Sequence, residues 1–229
     1  MSVKKLTPSK AERILGFLYL AIEQLLLPGL LGKLFGLLPF SVGAVWINLT
    51  YFILNFAAIL VIFRNFLNRS FRALSKQFWR FLGISLLGFV LYWATNLTLS
   101  ALLNLLFPGH ANINDATVSA LAGSNLLIMA LGTVVLVPLT EEVLFRGVVF
   151  GSFPGKHKAL AYILSTALFC LVHVLGYVGS YPAGTLILCF IQYIPAGLCL
   201  AWAYDASGSI FSPVLIHTVV NALGILSLR

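Results

Sequence analysis

The sequence predicts an all-α protein, a polytopic transmembrane helical bundle of about seven spans, with six to eight admissible. Three observations predict it. Of the 229 residues, 60% are hydrophobic and only 9% are charged, against about 25% charged in ordinary soluble domains. The mean hydropathy is +1.02. Apolar runs of the roughly 20 residues needed to cross a bilayer as a helix recur along the chain, separated by short connections.

These runs lie near residues 14–38, 42–63, 81–106, 124–150, 158–176, 183–204 and 208–228. Each is expected to be helical, because in hydrocarbon every backbone N–H and C=O must find its partner within the segment. The first follows Lys4, Lys5, Lys10 and Arg13 and resembles a signal peptide. Glu23 interrupts it, however, and no small-residue cleavage site follows, so an uncleaved span is expected. Pro28, Gly29 and Lys33 break it further, which suggests a short span followed by an interfacial helix. Pro138 and Pro195 are expected to bend the fourth and sixth spans, and Pro213 lies near the start of the last.

The net charge of +8 is informative through its placement. Arg64, Arg69, Arg72, Lys76 and Arg80 fill the gap between the second and third runs and read as a basic cytoplasmic loop able to touch anionic lipid. Alternating seven spans from a cytoplasmic N-terminus puts this loop and the Lys156–His157–Lys158 turn on one side. Only Lys33 is then left in the outer loops, with Arg229 at an outer C-terminus. No basic soluble segment remains for nucleic acid. A multi-pass location in a bacterial plasma membrane is the expectation. Residues 1–123 are expected to supply N-terminal transmembrane helices and the basic loop, and 124–229 a catalytic core, within one integrated membrane domain. Cys170, Cys189 and Cys199 are odd in number and lie in apolar runs, which argues against a disulfide framework. No internal repeat is visible.

The stretch LVPLTEEVLFRGVVF, residues 136–150, places two of the chain's six acidic residues and an arginine in one of its most apolar parts. Glu142 and Arg146 are four residues apart, the spacing that puts opposite charges on one helical face. Glu141 points about 100° away and lacks that partner. An ionisable group within a membrane segment is a functional candidate by default. His173 in the next run, and His217 with Asn221 four residues on in the last, add polar groups from two more helices. Counted from the turn near Gly155, Glu141 and His173 differ by only about 6 Å in depth, so a helical hairpin can bring them together. Carboxylate and imidazole can activate water for attack on a carbonyl, directly or through a metal. An amide such as Asn221 can stabilise the oxyanion. This is the inventory of a hydrolase without a nucleophilic Ser or Cys.

The ordered set Glu141-Glu142-x-x-x-Arg146, Phe169-x-x-x-His173 and His217-x-x-x-Asn221 resembles the three signature motifs of the CPBP family, the CAAX proteases and bacteriocin-processing enzymes also called Abi proteins. The resemblance covers roughly residues 124–228. It implies an intramembrane endopeptidase related to the type II CAAX prenyl endopeptidases. Glu141 and His173 would activate water, His217 and Asn221 would form the oxyanion site, and Glu142 and Arg146 would orient them, with Phe169 packing beside His173. The implied substrate is a membrane-associated peptide or protein, with a prenylated chain and a peptide precursor both among the candidates. The family is commonly labelled a metalloprotease. Glu141, His173 and His217 could supply a divalent metal such as zinc with three ligands, but the same groups can work without one, and the sequence leaves both open. The oligomeric state is unknown.

Two other classes stay open beside the enzyme. A non-catalytic bacteriocin self-immunity or scaffold protein needs the fold but not Glu141, and an ion-coupled transporter would bury the same residue types along a polar pathway. Asn96, Asn104, Gln192 and Tyr193 are polar enough to line a cavity, whereas His110 and His157 read as solvent-exposed.

Overall fold

A computed structural model describes residues 6–153 and 155–227 and is helical, with no strand among the described residues. Lys4, Lys5 and Arg229, used above to orient the chain, lie outside the described residues. The helices are α1 (Lys10–Leu25), α2 (Leu27–Gly36), α3 (Ala44–Ile62), α4 (Arg64–Lys76), α5 (Phe78–Leu106), α6 (Ile113–Ser124), α7 (Leu126–Ala130), α8 (Val137–Glu142), α9 (Lys158–Leu175), α10 (Ala183–Gln192), α11 (Ile194–Ser207) and α12 (Phe211–Leu226). Helices α7 and α8 belong to one long apolar rod, Leu126–Ser152.

Among the described residues, five rods are long and apolar enough to cross a membrane: Ala44–Ile62, Phe78–Leu106, Leu126–Ser152, Gly155–Leu175 and Ala183–Ser207. A sixth exists if α1 and α2, bent by 47° at their junction, count as one broken span. The expected count of about seven is therefore corrected to five or six. Pro28 in the first turn of α2 marks the break in the first segment. The last segment forms a helix of only 16 residues, about 24 Å long and short of the roughly 30 Å hydrocarbon core. Outward-facing apolar side chains such as Leu86, Val90, Leu97 and Leu105 on α5 suit a lipid surround.

The stretch expected to be a basic loop is itself a helix, α4, which buries Phe66 and carries Arg64, Arg69, Arg72 and Lys76. A basic surface opposite a buried apolar face suits a helix lying along a membrane interface. It is tied to the start of α1, where Ser9 and Glu12 form a capping box. Glu12 also accepts from the backbone N–H of Phe66 at 2.9 Å and lies 3.7 Å from Arg69. Nearby, Arg80 donates to the carbonyl of Ala206 at 2.7 Å, Leu6 N–H bonds to Gly208 O, and Lys158 pairs with Asp205. These contacts gather the beginnings of α1, α5 and α9, the end of α11 and α4 at one end of the bundle. The basic residues at those positions consequently share a side.

Helix α11 packs against α5, α9 and α12. One apolar core joins Ile59, Phe63, Phe66, Val143, Leu144, Val148, Phe150 and Tyr204; a second joins Phe145, Phe169, Leu200, Ala203 and Ile216. The rod Leu126–Ser152 contributes to both cores, and its Thr133, Thr140 and Glu141 line the cavity beside the second.

Candidate active site

The rod that carries the two glutamates is not a uniform α-helix. Two π-helical segments, Leu131–Leu136 and Val143–Val149, bracket the six residues of α8. Such wide turns within α-helices occur frequently at functional sites. Pro138 explains part of the local bonding. The N–H of Val137 bonds to the carbonyl of Gly132, five residues back. Continued by one residue, the same pattern would give Thr133 O to the N–H that Pro138 lacks. Asn221 on α12 takes that place, donating from Nδ2 to Thr133 O at 2.7 Å. The proline thus frees the carbonyl that anchors Asn221.

Glu142 is fully buried and holds two partners on one oxygen. Its Oε1 accepts from Arg146 Nη1 at 3.0 Å and from His217 Nδ1 at 2.9 Å. Arg146, also fully buried, donates from Nη2 to the carbonyl of Gly197 at 3.2 Å and sets its guanidinium 4.4 Å from the centre of the Phe169 ring. The close approach needs glycine at 197: a Cβ there would lie 2.6 Å from Thr166 Cγ2. A buried ion pair depends on further hydrogen bonds to its remaining donors and acceptors. Here α11 supplies one through Gly197 and α12 another through His217, while Glu142 Oε2 and Arg146 Nε make none.

Glu141, which lacks the four-residue partner that Glu142 has, lies near one imidazole. Its Oε2 lies 4.0 Å from His217 Nε2 and makes no hydrogen bond. His217 is therefore bracketed by two carboxylates, one at each ring nitrogen. Because a carboxylate only accepts, Nδ1 of His217 carries the proton in its bond to Glu142.

His173 is fixed by its own helix. Its Nδ1 lies 2.7 Å from the carbonyl of Phe169, one turn back, so Nδ1 is the protonated nitrogen and Nε2 of the neutral ring keeps its lone pair. The imidazole sits 4.1 Å from the Tyr193 ring, tilted by 32°, and 4.6 Å from Phe169. Tyr193 is held in turn from α6, outside the spans: its hydroxyl donates to Asp115 Oδ1 at 2.8 Å and accepts from Asn114 Nδ2 at 2.9 Å. Burial pushes the Asp115 carboxyl above its ordinary range, while the Tyr193 hydroxyl and the nearby His173 pull it partly back.

Glu141, His173, His217 and Asn221 all line one cavity of about 650 Å³, with Phe169, Thr133 and Tyr193 among its other walls. Asn96 and Gln192 line it too, as the sequence suggests, but Asn104 is not among the lining residues. His157 is exposed as expected, whereas His110 is only half-exposed. Sequence reasoning missed Glu23 and Asp115, which also line this cavity. Glu23 had a visible signal, an acid within an apolar run; Asp115, in a polar connection, had none.

The three groups named as possible metal ligands do not assemble as a ligand set. Among the described residues, no three His, Cys, Asp or Glu groups are placed to hold a metal ion.

Residues 123–223 match the family model described as type II CAAX prenyl endopeptidase Rce1-like. That segment is related to the Rce1-like family. It contains all seven residues of the three motifs. Among curated proteins, the chain is 36% identical over 90 residues to the UPF0177 protein YxdF of Lactococcus lactis subsp. lactis (strain IL1403), covering 39% of this chain and 44% of that one. An uncharacterized 24.3 kDa protein of Escherichia coli is 31% identical over 101 residues, 44% of each chain. The UPF0177 protein YbdI of the same Lactococcus strain is 29% identical over 90 residues, 39% of this chain and 43% of that protein. In each case the match spans less than half the length of the relative. No solved structure matches the chain. The apolar rods and the Rce1-like segment together make this an integral membrane protein.

Proposed function

We propose that this protein is an intramembrane endopeptidase that hydrolyses a peptide bond of a membrane-associated peptide or protein with a water activated by Glu141 and His173. The observation that carries the reading is the convergence of Glu141, His173, His217 and Asn221 on one cavity, with His217 held between Glu141 and Glu142.

In this mechanism the water sits between the Glu141 carboxylate and Nε2 of His173. Glu141 has an oxygen without a hydrogen-bond partner, and Nε2 is the lone-pair nitrogen, so either can take the water's proton as its oxygen attacks the carbonyl carbon. The carbonyl oxygen then gains negative charge. Asn221 uses one amide hydrogen on Thr133 O and has a second to give. His217 acts as the imidazolium, with one proton on each ring nitrogen, so that Nε2 donates while its Nδ1–H stays on Glu142. These two donors form the oxyanion site. The proton taken from water passes to the leaving amine as the carbon–nitrogen bond breaks. Glu142 and Arg146 are positioning residues that fix His217. Every step uses groups of the chain, and none is routed through a metal.

Residues 124–229 form the catalytic unit in this reading, and residues 1–123 close one side of the cavity through α1, α3, α5 and α6. The basic end formed by α4 and the starts of α1, α5 and α9 faces the cytoplasm by the excess of Lys and Arg there, in a bacterial plasma membrane. Comparing protein termini by mass spectrometry tests the reading, in cells making wild type or Glu141→Ala at equal membrane levels. Termini present only with wild type are the expected result. Identical termini with both proteins folded would overturn it.

A further inference from the structure

Among aspartate, glutamate, lysine and arginine, only acids line the cavity that holds the proposed catalytic groups, beside His173 and His217. Of the chain's six acidic residues, Glu23, Asp115 and Glu141 line it, and none of the described lysines and arginines does. Glu23, on α1, is 4% exposed. Its Oε1 accepts a long bond of 3.4 Å from the Tyr51 hydroxyl, the Gln24 side chain lies beside the carboxyl, and its buried Oε2 is left without a close hydrogen-bond partner. Gln24, Asn48, Tyr51 and Asn55 bring further polar atoms to the lining from α1 and α3.

A buried carboxylate without a counter-charge is costly, and the cost is offset when a cation enters beside it. The described acidic and histidine groups are not clustered closely enough to hold a metal ion. A single ammonium or guanidinium needs no such cluster: it carries only donors, and one carboxylate with neighbouring amide and hydroxyl oxygens accepts them. An anionic group meets the opposite situation, since the described lining offers it three carboxyl groups and neither lysine nor arginine.

We propose that Glu23 forms a subsite for a cationic group of the bound peptide, so that the cavity selects substrates carrying a Lys or Arg side chain close to the bond that is cut. The assignment of the ligand as a substrate rests on the endopeptidase reading, whereas the cation site itself does not.

The test uses the full chain in vesicles of neutral phosphatidylcholine. The probes are two apolar peptides with blocked termini, identical except that one central Lys is replaced by Nε-acetyl-lysine. With Glu141→Gln, which blocks cleavage, the Lys peptide is expected to bind about tenfold more tightly, roughly the effect of one charge-assisted contact. Adding Glu23→Gln is expected to reduce that ratio to about twofold or less, while Asp115→Asn reduces it by a smaller factor. Equal affinities, or a ratio unmoved by Glu23→Gln, would overturn the subsite. A second measurement needs no change at Glu23: dicyclohexylcarbodiimide labelling of that residue, read by mass spectrometry, should fall severalfold with the Lys peptide and not with its acetylated twin. Equal labelling in both cases would overturn the proposal. Incubating wild type with the Lys peptide separates the two readings. Preferential binding with no Glu141-dependent product would overturn the endopeptidase and retain the cation site; cleavage without preference would do the reverse.

Discussion

Glu142 Oε1 lies 2.9 Å from His217 Nδ1 and accepts through that same oxygen from the fully buried Arg146, joining the arginine to a histidine on α12. The glutamate is thus shared between an ion pair and an imidazole. Glu142→Gln leaves the Arg146 charge buried without a counter-charge, and an uncompensated buried charge costs about 3–5 kcal/mol. A marked fall in melting temperature in detergent is the expected result. Combining it with Arg146→Met removes the orphaned charge and should restore much of the stability. Activity should stay low in the double variant, because His217 still lacks its charged acceptor. Recovery of both together would mean that the glutamate has no part in holding His217.

Asn221 is anchored by the carbonyl that Pro138 leaves free. Asn221→Ala removes one oxyanion donor and is expected to lower kcat by roughly 10²–10³-fold with KM little changed. Pro138→Ala is the more informative partner. It restores an N–H able to bond to Thr133 O, competes with Asn221 for that oxygen, and should give a smaller loss of kcat with the same unchanged KM. Both are read on a substrate found by the terminus comparison. Wild-type kcat in Asn221→Ala would remove the amide from the proposed mechanism.

Much of this arrangement is legible in the sequence, for identifiable reasons. The four-residue spacing of Glu142 and Arg146 survives into a 3.0 Å pair, and the similar depths counted for Glu141 and His173 agree with their lining the same cavity. The last segment reads as a full span because its hydropathy extends beyond the 16 residues that are helical. That Glu141 and His217 share a site follows from the motif set, whereas the 4.0 Å approach between them does not, because the two come from helices remote in sequence and spacing rules see only one helix at a time. The π-helical turns are invisible to a search for 3.6-residue periodicity, although Pro138 lies between them as a hint. Tyr193 is a weak candidate on its own; its contact with His173 depends on Asp115 and Asn114, which belong to a connection that carries no periodic signal.

Gly197 offers a test of packing that leaves every charged group in place. Its carbonyl receives Arg146, and a Cβ would meet Thr166 Cγ2 at 2.6 Å and Thr166 Cβ at 3.1 Å. Gly197→Ala is therefore expected to push α11 from α9 and destabilise the protein by about 1–3 kcal/mol. Thr166→Ser removes the nearest methyl and should recover part of that loss when combined with it. Thermal melting of the single and double variants decides the point. An unchanged melting temperature in Gly197→Ala would show that the two helices can separate without strain.

Asp115 gives the pH dependence a definite sign. Burial raises its carboxyl above the ordinary value, which is near 4 for a free aspartate. A group whose folded value exceeds its unfolded one contributes its full stability below the unfolded value and loses it as pH rises through the folded value. Asp115→Asn has no such ionisation, and its amide oxygen can still accept from the Tyr193 hydroxyl. The variant should therefore melt close to wild type below about pH 4, gain on it as the pH rises from there through the raised value of the native carboxyl, and keep that lead above it. Melting curves in detergent between acid and neutral pH measure the difference directly. If the variant instead falls behind as pH rises, the ionised carboxylate gains more from Tyr193 and His173 than burial takes away. Asp115 would then act as a charged brace for the aromatic ring against His173, and its substitution should lower activity as well as stability.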